Sequence, residues 1–132
     1  MSKILKLSTI LPASQERLYA SWLSSKDHSA FTGSEAHIDA EIGGKFSAWD
    51  NYISGTTLQL LPYGKIVQAW RTTEFPDNSP DSKLEIYFEP VDAETKLTLI
   101  HSEIPEGQEE EYEQGWTDYY FEPMKKYFAD KK

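Results

Sequence analysis

Three histidines, His28, His37 and His101, are the side chains best suited to proton transfer or metal binding in this chain. Their spacing matches no ligand pattern, and no cysteine is present to complete one, so no metal site and no cofactor are expected. A serine nucleophile would need a strained turn such as Gly-x-Ser-x-Gly, which is absent. Asp50 is the only acid flanked by rings within a strand-like run, "SAWDNY". It suits acid–base work in a pocket, but Asp-Asn is equally a turn pair, since both side chains bond nearby backbone. His101 shares a strand face with Leu97 and Leu99. That face puts it either in a cavity, as a proton shuttle or ligand contact, or in the core with its ring nitrogens bonded to backbone or water. No catalytic residue is assigned.

Rings are the more prominent signal. Aromatic residues make up 14% of the 132 residues, and large rings with polar tips need both space and partners. Trp49, Tyr52, Trp70, Trp116, Tyr119 and Tyr120 either fill a core or line a pocket for an apolar or aromatic ligand. A pocket satisfies their N–H and O–H groups more easily than a dry core does. The candidate cavity residues are Phe46, Trp70, His101, Trp116, Tyr119 and Tyr120. Gly115, inside a helical pattern, costs roughly 1 kcal/mol against alanine; either it lets sheet or ligand approach closely or the cost is simply tolerated.

These residues need elements to hold them. "KILKLSTI", Lys3 to Ile10, alternates as a first strand, with Leu5, Leu7 and Thr9 on one face. "PASQERLYASWLSS" is a helix capped by Ser14, with Leu18, Tyr19, Trp22 and Leu23 on its apolar side. "KDHSAFTG" is a second, short helix stopped by Gly33. Six strand-like runs follow, from "SEAHIDAEI" to "TKLTLIHSEI", separated by short turn signals that imply an antiparallel meander. In "SKLEIYFEP", Leu84, Ile86 and Phe88 face inward. Gly43-Gly44 should bend the chain into a hairpin turning near Asp50-Asn51, with Gly55 as a bulge or kink in the return strand. Phe46 is then expected inside, and Trp49 on the outer face or the rim unless a bulge swings it inward.

The last element runs from Glu109 to about Ala129. Tyr112, Trp116, Tyr119, Pro123 and Tyr127 recur at helical spacing, with Tyr120, Met124 and Phe128 beside them. Pro123 should bend this long helix. The acidic run "EIPEGQEEEYE" reads as a solvated helix start matched to the dipole, with a docking patch for a basic partner as a lesser reading.

The order is that of an α+β domain: a seven-stranded antiparallel sheet wrapped around one long C-terminal helix, with two shorter helices after the first strand. The length predicts one domain spanning residues 1–132. A net charge of −9 with scattered Lys and Arg argues against nucleic acid and anionic membranes as partners. The start carries no long apolar stretch, so no signal peptide is expected and the cytoplasm is the expected location. Monomer and homodimer both stay open.

With these elements placed, the chain resembles the helix-grip fold of the START-like (SRPBCC) superfamily. Within it, the sequence is most similar to the C-terminal domain of the activator of heat-shock protein 90 ATPase. The matching residues are "LPASQERLYASW", "AFTG", "DAEIGGKFSAWDNYISGTTLQL", "KIVQAWR", "HSEIPEG" and "GWTDYYFEPMKKYF", which together span nearly the whole chain. The resemblance implies a non-enzymatic binding module that meets a heat-shock protein 90-type chaperone. Eukaryotic activators carry a separate N-terminal domain that grips the chaperone's middle segment, and the match begins after it, so that domain is not expected here. Two other readings stay open: a carrier or sensor of a small apolar or aromatic ligand held between sheet and helix, and a cyclase or aromatase.

Overall fold

The computed structural model describes residues 4–130, so Lys3 of the predicted first strand lies outside the described residues. Strand β1 (Leu5–Leu11) leads into helices α1 (Gln15–Leu23) and α2 (Ser25–Thr32). Six strands follow: β2 (His37–Ile38), β3 (Lys45–Ala48), β4 (Ile53–Leu61), β5 (Lys65–Thr72), β6 (Ser82–Val91) and β7 (Glu94–Ser102). Helix α3 (Glu109–Trp116), a π turn (Thr117–Phe121) and α4 (Glu122–Asp130) continue as one C-terminal helix.

All strand pairs are antiparallel, in the order β1-β7-β6-β5-β4-β3-β2. Short connections place each strand from β3 to β7 beside its predecessor. Strand β1 instead joins the far edge against β7, pairing Leu5 with His101 and Leu11 with Thr95. The chain must therefore cross from one edge of the sheet to the other between β1 and β2, and α1 and α2 make that crossing. The hydroxyl of Ser14 accepts the Arg17 N–H and starts α1. Ser24 does the same for α2 through Asp27 N–H, and Gly33, at φ 81°, ends it in the left-handed region. Helix α1 packs on β6 and α2 on α4.

Alternation puts one sheet face against the helices. Leu84, Ile86 and Phe88 of β6 and Leu97, Leu99 and His101 of β7 are all buried, as their spacing predicts. Full burial of each aliphatic side chain contributes about 1.5–3 kcal/mol. Strand β2 is only two residues long, shorter than the run "SEAHIDAEI" suggests, and pairs solely with β3. Gly55 is not the bulge: it keeps register with Trp70 on one side and Phe46 on the other. The extra residue is Leu58, between Thr57 and Gln59.

The C-terminal helix departs from the expected simple bend. Proline has no N–H, and its ring crowds the carbonyl four residues earlier. Before Pro123 the helix widens, and the Glu122 N–H bonds the Thr117 carbonyl five residues back. This resets the buried face. At about 3.6 residues per turn, a strict i+4 row drifts around a helix. The slower winding of the π turn brings the row back. Tyr112, Trp116, Tyr120, Met124 and Phe128, all four apart, are therefore buried, while Tyr119 is 59% exposed. Among the described residues, no helix is long and apolar enough to cross a membrane.

Candidate functional site

Sheet and C-terminal helix diverge toward the β3–β4 turn and the end of β5, leaving a cavity of about 440 Å³. Of the six residues predicted for a cavity, four line it: Trp70 from β5, Trp116 from α3, and Tyr119 and Tyr120 from the π turn. Trp49, Tyr52, Ile53, Tyr112 and Gly115 complete the apolar wall. The ring centroids of Trp70 and Trp116 lie 5.4 Å apart, and those of Trp70 and Tyr112 5.3 Å apart.

Phe46 and His101 stand outside this lining. Phe46 is buried in the core and pairs across β3–β4 with Gly55. His101 is completely buried behind Trp70 and Trp116, with ring centroids 4.7 and 5.8 Å away. The Trp116 indole N–H donates to His101 Nδ1 at 3.1 Å. The Ser82 hydroxyl lies 2.8 Å from Nε2 and 2.6 Å from the Trp70 carbonyl oxygen. Ser82 donates to that carbonyl, so Nε2–H donates to Ser82 and the imidazole is neutral. Burial lowers its pKa from 6.5 to about 3.

His28 is the second buried histidine. Its Nδ1 sits 2.9 Å from the Trp22 carbonyl oxygen and its Nε2 2.9 Å from the Tyr120 hydroxyl. Burial lowers its pKa to about 4, against the opposing pull of the Trp22 carbonyl. Both histidines thus spend both ring nitrogens on the protein. His37 is exposed on β2, 3.5 Å from Glu35. Among the described residues, no group of three or more His, Asp or Glu is placed to hold a metal ion.

Trp49 reaches the rim by an unusual route. Strand β3 stops at Ala48, and Trp49, Asp50 and Asn51 follow with φ of 52°, 54° and 71°. Three successive left-handed residues curl the chain over, and the Trp49 ring meets Tyr119 edge-on at 5.6 Å. Asp50 secures the turn from outside. Its N–H donates to the Glu35 carbonyl at 3.1 Å, and its carboxylate accepts the Glu35 N–H at 3.2 Å. Asp50 is therefore a turn residue, with a distant backbone partner in place of its own. The Tyr120 hydroxyl is pushed far above its ordinary pKa by burial. The Trp49 N–H works against that rise, yet it is buried without hydrogen-bond geometry to any described group.

Two acidic lining residues escaped the sequence reading: Glu74, just after β5, and Glu111, in the first turn of α3. The Tyr52 hydroxyl donates to the Glu74 carboxylate and lies 3.4 Å from that of Glu111. A clasp between sheet and helix holds them side by side. Thr72 Oγ1 meets the Tyr112 hydroxyl at 2.7 Å, Tyr112 donates to Gln108 Oε1 at 2.7 Å, and Gln108 Nε2 donates to the Glu74 carbonyl at 2.9 Å. Loss of water, then a hydrogen bond to Glu74 and the charge of that group, raise the Glu111 carboxyl above its ordinary pKa, with Tyr52 opposing. Tyr52 and Tyr112 are also raised, first by burial, and remain phenols at neutral pH. The sequence signal was a glutamate directly beside a buried ring, Glu74-Phe75 and Glu111-Tyr112, but two such pairs far apart in the chain do not announce that they meet.

A long helix gripped by a seven-stranded antiparallel sheet, with a ring-lined opening between them, defines the α+β helix-grip class. Residues 12–129 match the family model described as "Activator of Hsp90 ATPase homolog 1-like protein", and the chain belongs to that family. The human "Activator of 90 kDa heat shock protein ATPase homolog 1" is 35% identical over 116 residues, 88% of this chain and 34% of that protein. The chain thus spans about a third of the length of the curated relatives it matches. Among solved structures, an HSP90 activator from Plasmodium falciparum superposes with a TM-score of 0.84 at 25% identity, covering 92% of each chain. The Aha1 dimer from Colwellia psychrerythraea shares the fold, with a TM-score of 0.78 at 12% identity over 93% of this chain and 94% of that one.

Proposed function

We propose that this chain is a non-enzymatic binding module that docks on a heat-shock protein 90-type chaperone and acts on its ATPase. The carrying observation is the 35% identity to the human activator over 88% of the chain. The Plasmodium falciparum protein titled an HSP90 activator adds support, because it matches over 92% of its own length. Purified protein should co-precipitate with the heat-shock protein 90 of its own host and change that chaperone's ATP turnover. Absence of both effects with the module on the order of 10 μM would remove the proposal.

The open ring-lined cavity favours a second reading, a carrier or sensor of a small ligand. Native mass spectrometry of protein purified from its own host should then show a bound small molecule. A spectrum containing only the bare chain mass would count against it.

A further inference from the structure

The cavity wall is apolar and aromatic, yet two acidic side chains stand at its opening. Glu74 and Glu111 line it, and among the described residues no lysine, arginine or histidine does. Neither carboxylate meets a basic side chain among the described residues. Besides the hydrogen bond between the two carboxyl groups, they share the Tyr52 hydroxyl as a neutral partner. Two carboxylates held together by the Thr72–Tyr112–Gln108 clasp repel each other, and a positive charge between them would relieve that repulsion. The rings add to the same preference, because ring faces carry negative charge density. A neutral aromatic ligand would satisfy the wall and leave the two acids unanswered.

We propose that this cavity binds a small organic cation, an alkylated ammonium group carried on an apolar body. The inference rests on the small-ligand reading of the same cavity. The charged head sits at the opening, between Glu74, Glu111 and the rings of Tyr52 and Tyr112. The apolar body lies deeper, against Trp70 and Trp116. An alkylated head uses the ring faces of Tyr52 and Tyr112 through its methyl groups, while the two acidic side chains answer its charge. The chain's net charge of −9 adds long-range attraction for such a ligand.

The test uses two probes of the same shape, (3-hydroxybenzyl)trimethylammonium and its uncharged carbon isostere 3-neopentylphenol. Both are titrated into the protein while tryptophan fluorescence is followed, since three tryptophans line the cavity. The cation should bind at least about ten-fold tighter than the isostere. In the double variant Glu74→Gln, Glu111→Gln, that preference should fall below about three-fold while the isostere's affinity holds. Both positions are exposed at the rim, so the fold should persist, which near-ultraviolet circular dichroism checks. Equal binding of both probes overturns the cation proposal and leaves the small-ligand reading standing. A cation preference that survives the double substitution also overturns it. Binding of neither probe removes both together.

Discussion

Acidifying a solution of this protein from pH 7 to pH 4.5 is expected to remove roughly 5 kcal/mol of folding stability through two histidines. His28 and His101 are both buried and neutral, with pKa values lowered from 6.5 to about 4 and about 3 by loss of water. The unfolded chain takes up both protons below pH 6.5, and the folded chain refuses them. Their contribution is therefore fully present above that pH. It is lost as pH falls towards about 4 for His28 and about 3 for His101. Each histidine costs about ten-fold in the folding equilibrium per pH unit across its window. The geometry explains the refusal at His101: a proton on Nδ1 would point at the Trp116 N–H, one donor facing another. A loss of this size approaches the whole stability of an ordinary domain. Urea midpoints measured at pH 7, 5.5 and 4.5 should fall steeply. In the His28→Gln, His101→Gln double variant most of that slope should vanish, although the variant starts less stable at pH 7. An unchanged slope would show that other groups govern acid lability.

Gly55→Ala is expected to lower stability by about 3 kcal/mol or more, and the melting temperature by on the order of 10 °C. An added Cβ would stand 1.8 Å from the Ala69 carbonyl oxygen and 2.8 Å from Phe46 Cζ. The first contact is with backbone, so no rotamer change relieves it, and β4 must move away from β5. Those strands carry Ile53 and Trp70 into the cavity, so the cavity should widen or collapse with them. Gly115→Ala is the control. There the added Cβ would meet only Tyr119 Cδ2, at an ordinary 3.7 Å, and the helix gains up to about 1 kcal/mol of propensity. Thermal melts of the pair should move in opposite directions. A Gly55 variant as stable as the parent would mean that the two strands are not held as tightly as the structure shows.

Most of the framework is legible in the sequence. Ser14, Gly33 and the alternation in "SKLEIYFEP" act through neighbours one to four residues away, so α1, α2 and β6 stand where they were expected. Short turns leave consecutive strands few partners other than each other, which is why the meander could be read. The C-terminal helix was legible in extent but not in facing. The π turn before Pro123 exposes Tyr119, which an unbroken helical period had placed with the buried rings.

The candidate site divides in the same way. Trp70, Trp116, Tyr119 and Tyr120 could be picked out as large rings with polar tips. His101 was correctly placed on the inward face, but its exclusion from the cavity depends on Trp116 and Ser82, which lie on other elements. Trp49 turns to the rim through three left-handed residues whose turn is anchored on Glu35, across the β2–β3 edge. Glu74 and Glu111 meet only because Tyr112 and Gln108 tie α3 to the end of β5. Sequence by itself determined the elements, their order and the supply of rings, because backbone propensity and side-chain periodicity are local. Only the tertiary structure decided which rings face open space and which charges stand beside them, because those depend on how separate elements are held together.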